Sequence, residues 1–545
     1  MKSFLRLSIL ISVFALLFSS CGKKNEVGKM IPNDAHFVAQ INIKSLGNKL
    51  SWNDIKQTNW YKKIYADSSM NDWKRKVLDN PSTTGIDFED GLVFFVSQNA
   101  GTDYFAAEGK IKSEKDFEEF NKNADPSQAA KKEGDFNVLV LKNNHVVVWN
   151  DDRFVYLMNM RGTPTEMLQQ HDSTQMQQNE PTDKSAKLSA IGKNLFNLKS
   201  DSSLAKNDHF GSLMNESGDV HVWQNTEAII KSSSSLGMLG MLKLDAFTKD
   251  NVSTYTINFD NGKIDVDQKT YASKELTDIV KKYTGSSING DMIKNIPSQD
   301  VDGLLAFNFK PEGIVELIKL TGADGMINTY AQQMGFTLDD FSKATNGDYL
   351  LAFTDFKFKD SLRRPDFNYL FSAGIADKAS LQKILDAVKK TTSQMGKDSV
   401  ANYVMNDKTI AFASNNSFAT QYLNGNNNKF DFTEKFSGHP VGFYLDIHKI
   451  LSQFSTLSSD SDHKAMLDQS LNTWNNIISY GGEFNDNAFK FHSEINLINK
   501  DSNSLKQLNH YLDQMSLYHE SKKDKSTKRL DSLLVPPPID TVKVK

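Results

Sequence analysis

With 545 residues, 63 Lys and Arg against 67 Asp and Glu, a formal net charge of −4 and one cysteine, the chain is nearly balanced in charge. Charge this mild and evenly spread excludes electrostatic steering of nucleic acid, and a single cysteine excludes an internal disulfide, so stability must come from burial. At about 100 to 200 residues per domain, the length predicts about three or four compact units.

Lys2 and Arg6 make a basic start, Leu7 to Phe18 an almost continuous apolar run, and Phe18-Ser19-Ser20-Cys21 a small-residue ending before a cysteine. These are the three parts of a signal peptide, assigned to residues 1–21. The run is shorter than the about 20 residues needed to span a bilayer. Its ending resembles the lipobox of bacterial lipoproteins, with Phe18 standing where that pattern usually has Leu. The resemblance implies cleavage before Cys21 and acylation of that residue, which leaves no free thiol for metal or redox chemistry. Two or more acyl chains, at ~0.8 kcal/mol per buried CH₂, make a stable anchor. Residues 22–31 read as a tether, and no later apolar stretch reaches spanning length. The expected location is the cell envelope, with the outer membrane favoured and its periplasmic or surface face left open.

A first half covers residues 32–290. Phe37 to Ile43 reads as a strand running into a helix, followed by a segment crowded with Trp52, Trp60, Tyr61, Tyr65 and Trp73. Trp52, Ile55, Trp60, Ile64 and Trp73 would share about half the circumference of one helix. Residues 104–120 switch at a Ser cap from strand-like to helical spacing. Asn137 to Val140 and Val146 to Trp149 then read as a hairpin entering a short helix at Phe154 to Leu157. An insertion at about 161–205, rich in Gln, Ser, Asn and Lys, reads as a surface loop with one helix near Ala186 to Leu198. Val220 to Thr226 is a further strand, and Asn261-Gly262 between alternating strands predicts a hairpin in which both turn residues take positive φ.

The second half, 291–516, repeats this order. Leu304 to Lys310 and Val441 to Ile447 match the two opening strands, residues 369–385 match 104–120, and Asn402 to Met405, Ile410 to Ala413 and Phe418 to Leu423 match the hairpin and short helix. Gly482 to Phe491 matches the later hairpin. The repeat predicts an internally duplicated α+β fold: two halves of antiparallel sheet covered on one side by helices, built from four strand-helix-hairpin-helix units. One such covering helix carries Leu381, Ile384, Leu385 and Val388 at helical spacing. Residues 517–545, basic and with Pro536-Pro537-Pro538, read as a flexible tail.

Ile31-Pro32-Asn33-Asp34-Ala35, the matching Ile296-Pro297-Ser298-Gln299-Asp300 and the lipobox together resemble the Bacteroidetes lipoproteins classed as domain of unknown function 4836. The likeness extends over nearly all of the mature chain, most strongly in Phe430-Asp431-Phe432 and Pro440 to Ile447. It implies an envelope lipoprotein with no catalytic residues to carry over.

Chemical motifs are sparse. The eleven histidines include no i, i+4 pair of the zinc-hydrolase type, and His221 and His492 fall in alternating strands as surface or hydrogen-bonded core residues. Asp460-Ser461-Asp462 does not continue as a calcium loop, whose sixth and twelfth positions hold Ala465 and Leu471; Asp265 and Asp267 read as the polar face of a strand. There is no Gly-x-Ser-x-Gly elbow, and Gly237-Met238-Leu239-Gly240 lacks the Lys-Ser/Thr ending of a phosphate loop. No catalytic residue, cofactor or metal is therefore expected. Burial against the first sheet is the leading reading of this shared helix face; if exposed instead, Trp52, Trp60 and Trp73 form the candidate binding surface, able to stack on sugar or a partner protein. The expected role is non-catalytic binding or scaffolding by a membrane-anchored protein. The alternatives are a solute-binding lipoprotein taking glycan or peptide in a cleft between the halves, and an unrecognised hydrolase.

Overall fold

The computed structural model describes residues 26–68, 70–160, 184–232, 243, 245–359, 364–394, 403–457 and 461–518. The expected signal peptide with Cys21, Gly237 to Gly240, Asp460, residues 161–183 of the expected insertion and residues 519–545 lie outside them. The chain is α+β, with antiparallel strand pairing throughout the described residues. It divides into two compact units, one drawn from Met1–Lys44, Asp79–Ser235 and Val252–Thr256, the other from Ser45–Leu78, Leu236–Asn251 and Ile257–Lys545.

In the first unit the strands are β1 (Phe37–Ile41), β2 (Leu92–Asn99), β3 (Thr102–Lys110), β4 (Lys131–Glu133), β5 (Phe136–Val140), β6 (Val146–Trp149), β7 (Arg153–Asn159) and β8 (Val220–Asn225). They pair in the order β8-β1-β2-β3-β7-β6-β5-β4. Ser113 caps helix Glu114–Ala124 by accepting the Asp116 N–H, and Phe117 from that helix packs in a core with Leu139, Val147, Trp149 and Phe154. The insertion contains helix Ser185–Phe196, whose Leu188, Ile191 and Leu195 are buried. Phe154 to Leu157 is not the short helix expected from the repeat but part of strand β7. Its β-branched and aromatic side chains suit a pleated surface, and β7 pairs with β3 in register.

After β9 (Val252–Asp260), the strands are β10 (Lys263–Tyr271), β11 (Val301–Asn308), β12 (Thr345–Lys359), β13 (Arg364–Ile375), β14 (Tyr403–Met405), β15 (Thr409–Ala413), β16 (Val441–Asp446), β17 (Trp474–Asn485) and β18 (Ala488–Leu497). In the second unit they pair in the order β10-β18-β17-β16-β11-β12-β13-β15-β14. Each of β1, β8, β11 and β16 is followed at once by a helix: Ile43–Lys49, Thr226–Ser232, Pro311–Leu320 and Ile447–Leu457.

Helices cover both faces of the sheet around β13 and β15, where one covered face was expected. Leu370, Ala411 and Ala413 join a core with Ile293, Tyr422 and Phe436 on one side. The alternate residues Ala373 and Ile410 pack with Leu381, Leu385 and Ala344 on the other. Side chains one residue apart in a strand face opposite ways, so two apolar layers need apolar neighbours in sequence, as in Ile410-Ala411. Helix Lys378–Gln394 buries Leu381 and Leu385, but Val388 is 44% exposed. At the hairpin turns, Asp486 and Asn487 both take positive φ, whereas of Asn261-Gly262 only the glycine does.

Candidate functional site

Asn and Asp side chains dominate the wall of a cavity of about 440 Å³ in the second unit, including Asn289, Asp291, Asn295, Asn346, Asp348 and Asn406. Strand β12 carries Asn346 and Asp348 into it through an irregularity. The β12–β13 register breaks between Thr345 and Tyr349, and Gly347 takes φ +100°, a conformation that strains any side-chain-bearing residue. Asp348 is the hub. Its carboxylate accepts the side-chain amides of Asn308 at 2.6 Å, Asn289 at 3.2 Å and Asn346 at 3.4 Å. Asn346 reciprocates by accepting the Asp348 N–H at 3.0 Å. Gly374 lets this loop close down: a Cβ there would sit 2.2 Å from Asn346 Oδ1. Across the cavity, Asn406 accepts the N–H groups of Lys408 and Thr409 at 2.8 and 2.9 Å. Tyr422 borders it from the apolar core with its hydroxyl buried, and that burial drives the hydroxyl well above the ordinary phenol range. The lining thus offers amides, carboxylates, the Lys408 ammonium and the Thr409 hydroxyl, and it contains no histidine or cysteine.

A second polar constellation occupies one face of β10, β18 and β17. Residues two apart on β10 (Lys263, Asp265, Asp267) share that face, and register sets Asp267 opposite His492, Asp265 opposite Glu494, and His492 opposite Tyr480. His492 Nδ1 lies 2.8 Å from Asp267 Oδ1, while its Nε2 lies 3.5 Å from Asp265 Oδ1 and 3.6 Å from Glu494 Oε1. Lys263 Nζ is 3.0 Å from Asp265 Oδ2, and Lys435, from helix Thr433–Phe436, pairs with Glu494 Oε2. Burial pushes the Asp265 carboxyl up against the pull of Lys263. For Glu494 the same burial penalty is outweighed by Lys435 and Lys263, and its pKa falls below the usual range.

The sequence-marked aromatics form no single stripe. Trp52, Trp60 and Trp73 lie on three short helices, Trp52–Lys56, Asn59–Ala66 and Asp72–Asp79, because Ser51, Thr58 and Asn71 each cap a new start. Trp52 is 37% exposed and donates its Nε1–H to the Leu78 carbonyl at 2.8 Å. Its ring meets buried Tyr61 edge-on at 6.0 Å, and Trp60 and Trp73 are half-buried. Cys21 lies outside the described residues. His221 is a buried strand residue whose Nδ1 is 2.7 Å from Gln40 Oε1 in the paired strand, and burial lowers its pKa. Sequence reading missed Asn346-Gly347-Asp348, although Asn-Gly-Asp within a strand is a bulge signal. It also treated Asp265 and His492 separately, since only the pairing of β10 with β18 joins them.

A family whose model is described as Domain of unknown function (DUF4836) matches residues 28–435. Phe430-Asp431-Phe432 falls inside the matched stretch, and Pro440 to Ile447 falls beyond it. Neither a curated protein nor a solved structure matches the chain.

Proposed function

The chain belongs to the family described as Domain of unknown function (DUF4836), and from that premise we propose that it is a lipid-anchored envelope protein that binds a small polar ligand without transforming it. The observation that carries the binding role is the amide-lined cavity around Asp348. Its donors and acceptors are fixed by one another and suit a hydroxyl-rich ligand such as a glycan, with a polar peptide backbone as the other fit. The anchoring rests on the leader ending at Cys21, and the assignment to a Bacteroidetes outer membrane rests on the sequence resemblance. Exposed Met326, Tyr330 and Met334, four residues apart on helix Asp324–Met334, favour a second role in scaffolding an envelope protein.

We also read the two halves as products of gene duplication, each made of two strand-helix-hairpin-helix units. Support comes from the matching strand orders β8-β1-β2-β3-β7-β6 and β16-β11-β12-β13-β15-β14, and from the helix following each of β1, β8, β11 and β16. In that reading β7 corresponds to β15, and β4 and β5 are additions to the first half.

The binding role is tested by thermal shift of the full chain against panels of glycans and peptides. A ligand at about 100 times its dissociation constant adds ~2.7 kcal/mol of stability. No shift with any member of either panel contradicts it; crosslinking in cells tests the scaffolding role, which predicts a reproducible partner.

A further inference from the structure

We propose that Asp265, His492 and Glu494 form a binding site for a divalent transition-metal ion of the zinc class. The orientation of His492 is the starting point. An ionised carboxylate only accepts hydrogen bonds, so at 2.8 Å from Asp267 Oδ1 the Nδ1 atom donates, and Nε2 is turned toward the other two carboxylates. A carboxylate behind the ligating histidine is the arrangement that fixes tautomer and ring orientation in zinc sites. The Nε2 separations of 3.5 Å to Asp265 Oδ1 and 3.6 Å to Glu494 Oε1 are too long for charge-assisted N–H···O bonds, which close to about 2.7–2.9 Å. They match the spacing of two ligands on one tetrahedral ion, about 3.3–3.6 Å for metal–ligand bonds of about 2.0–2.2 Å.

Asp265 Oδ1 supplies an independent sign. It is buried and makes no hydrogen bond, although Asp265 as a whole is only 9% exposed. The other oxygen of each carboxylate is engaged by a lysine, Asp265 Oδ2 by Lys263 and Glu494 Oε2 by Lys435, so the remaining oxygens are the ones turned to His492. One donor atom from each of the three residues lies within 4.8 Å of the others. The donors stand on neighbouring strands in fixed register, and the His492 side chain is 25% exposed, which gives an ion a way in. Three protein ligands of imidazole and carboxylate type leave a fourth position for water or a ligand oxygen. Lys263 Nζ, 3.6 Å from Glu494 Oε1, is the built-in competitor for this space.

The full chain, stripped with chelator and titrated calorimetrically with zinc chloride, is expected to bind about one equivalent, and cobalt is expected to give the visible spectrum of a tetrahedral ion. Asp265→Asn and Glu494→Gln should each weaken binding about 100-fold or more, and Asp267→Asn about 10- to 100-fold through loss of ring orientation. Lys263→Met removes the competing ammonium and should tighten binding. Should the ligand variants fail to fold, wild type and Lys263→Met alone decide. Uptake below about a tenth of an equivalent by both, or ligand variants that fold and bind as wild type does, overturns the site and leaves the cavity around Asp348 unaffected.

Discussion

Asp513 fastens the N-terminus of the helix that carries Trp60, next to its Thr58 cap. Its Oδ1 accepts the Trp60 backbone N–H at 3.0 Å and its Oδ2 accepts the Asn59 side-chain amide at 2.8 Å, across more than 450 residues of chain. A buried carboxylate at a helix N-terminus satisfies donors the helix cannot, and its charge favours the positive end of the helix dipole. Asp513→Ala is expected to cost about 2 kcal/mol. Limited proteolysis should then cut first within residues 45–78, and a cleavage pattern identical to that of wild type contradicts the contact.

Glu108 on β3 is fully buried, and neither of its carboxylate oxygens has a hydrogen-bond partner among the described residues. Burial pushes its pKa from 4.5 up to about 7, against the opposing charge of Arg153. The folded state therefore holds this proton more tightly than the unfolded chain. Well below pH 4.5 both states are protonated and the ionisation of Glu108 adds no penalty; the penalty grows between pH 4.5 and 7 and is complete above that. Glu108→Gln should accordingly stabilise the protein by about 3 kcal/mol at pH 8 and by little at pH 4. Melting curves of both proteins at the two pH values check this, and a gain independent of pH contradicts it.

Gly192 sits in helix Ser185–Phe196, where a Cβ would come 2.6 Å from Val148 Cγ2 and 2.8 Å from Leu157 Cδ1. Alanine is the better helix former by about 1 kcal/mol, but the β-branched Val148 on a central strand has little room to turn. Overpacking of about 1–3 kcal/mol should win, so Gly192→Ala lowers the denaturation midpoint. A raised midpoint shows that the contact is softer than this.

Asp348→Ala leaves the amides of Asn289, Asn308 and Asn346 without their shared acceptor. Loss of stability by about 1–3 kcal/mol is expected, together with loss of any ligand affinity found for wild type. Unchanged affinity in a folded variant removes Asp348 from the site.

Local patterning made most elements legible. Alternation located β1, β8, β11 and β16, and the Ser113 cap located the helix that follows β3, since both signals lie within a few residues. Phe154 to Leu157 was misassigned because an apolar run of four fits a strand or a helix, and only pairing with β3 decides between them. The break of the aromatic segment into three helices was written in Ser51, Thr58 and Asn71, whereas its fastening by Asp513 is non-local and carries no sequence signal. The same holds for both polar sites. Asp348 gains meaning from Asn289 and Asn308, and Asp265 from His492, through pairings that no spacing rule reveals.

Anchoring is tested most directly by growing cells on labelled fatty acid and fractionating those that carry the wild-type chain or Cys21→Ser. The wild-type protein should take up label and pellet with the envelope, and Cys21→Ser should do neither. An unlabelled wild-type protein, or a Cys21→Ser variant that pellets as before, contradicts a lipid-held envelope protein.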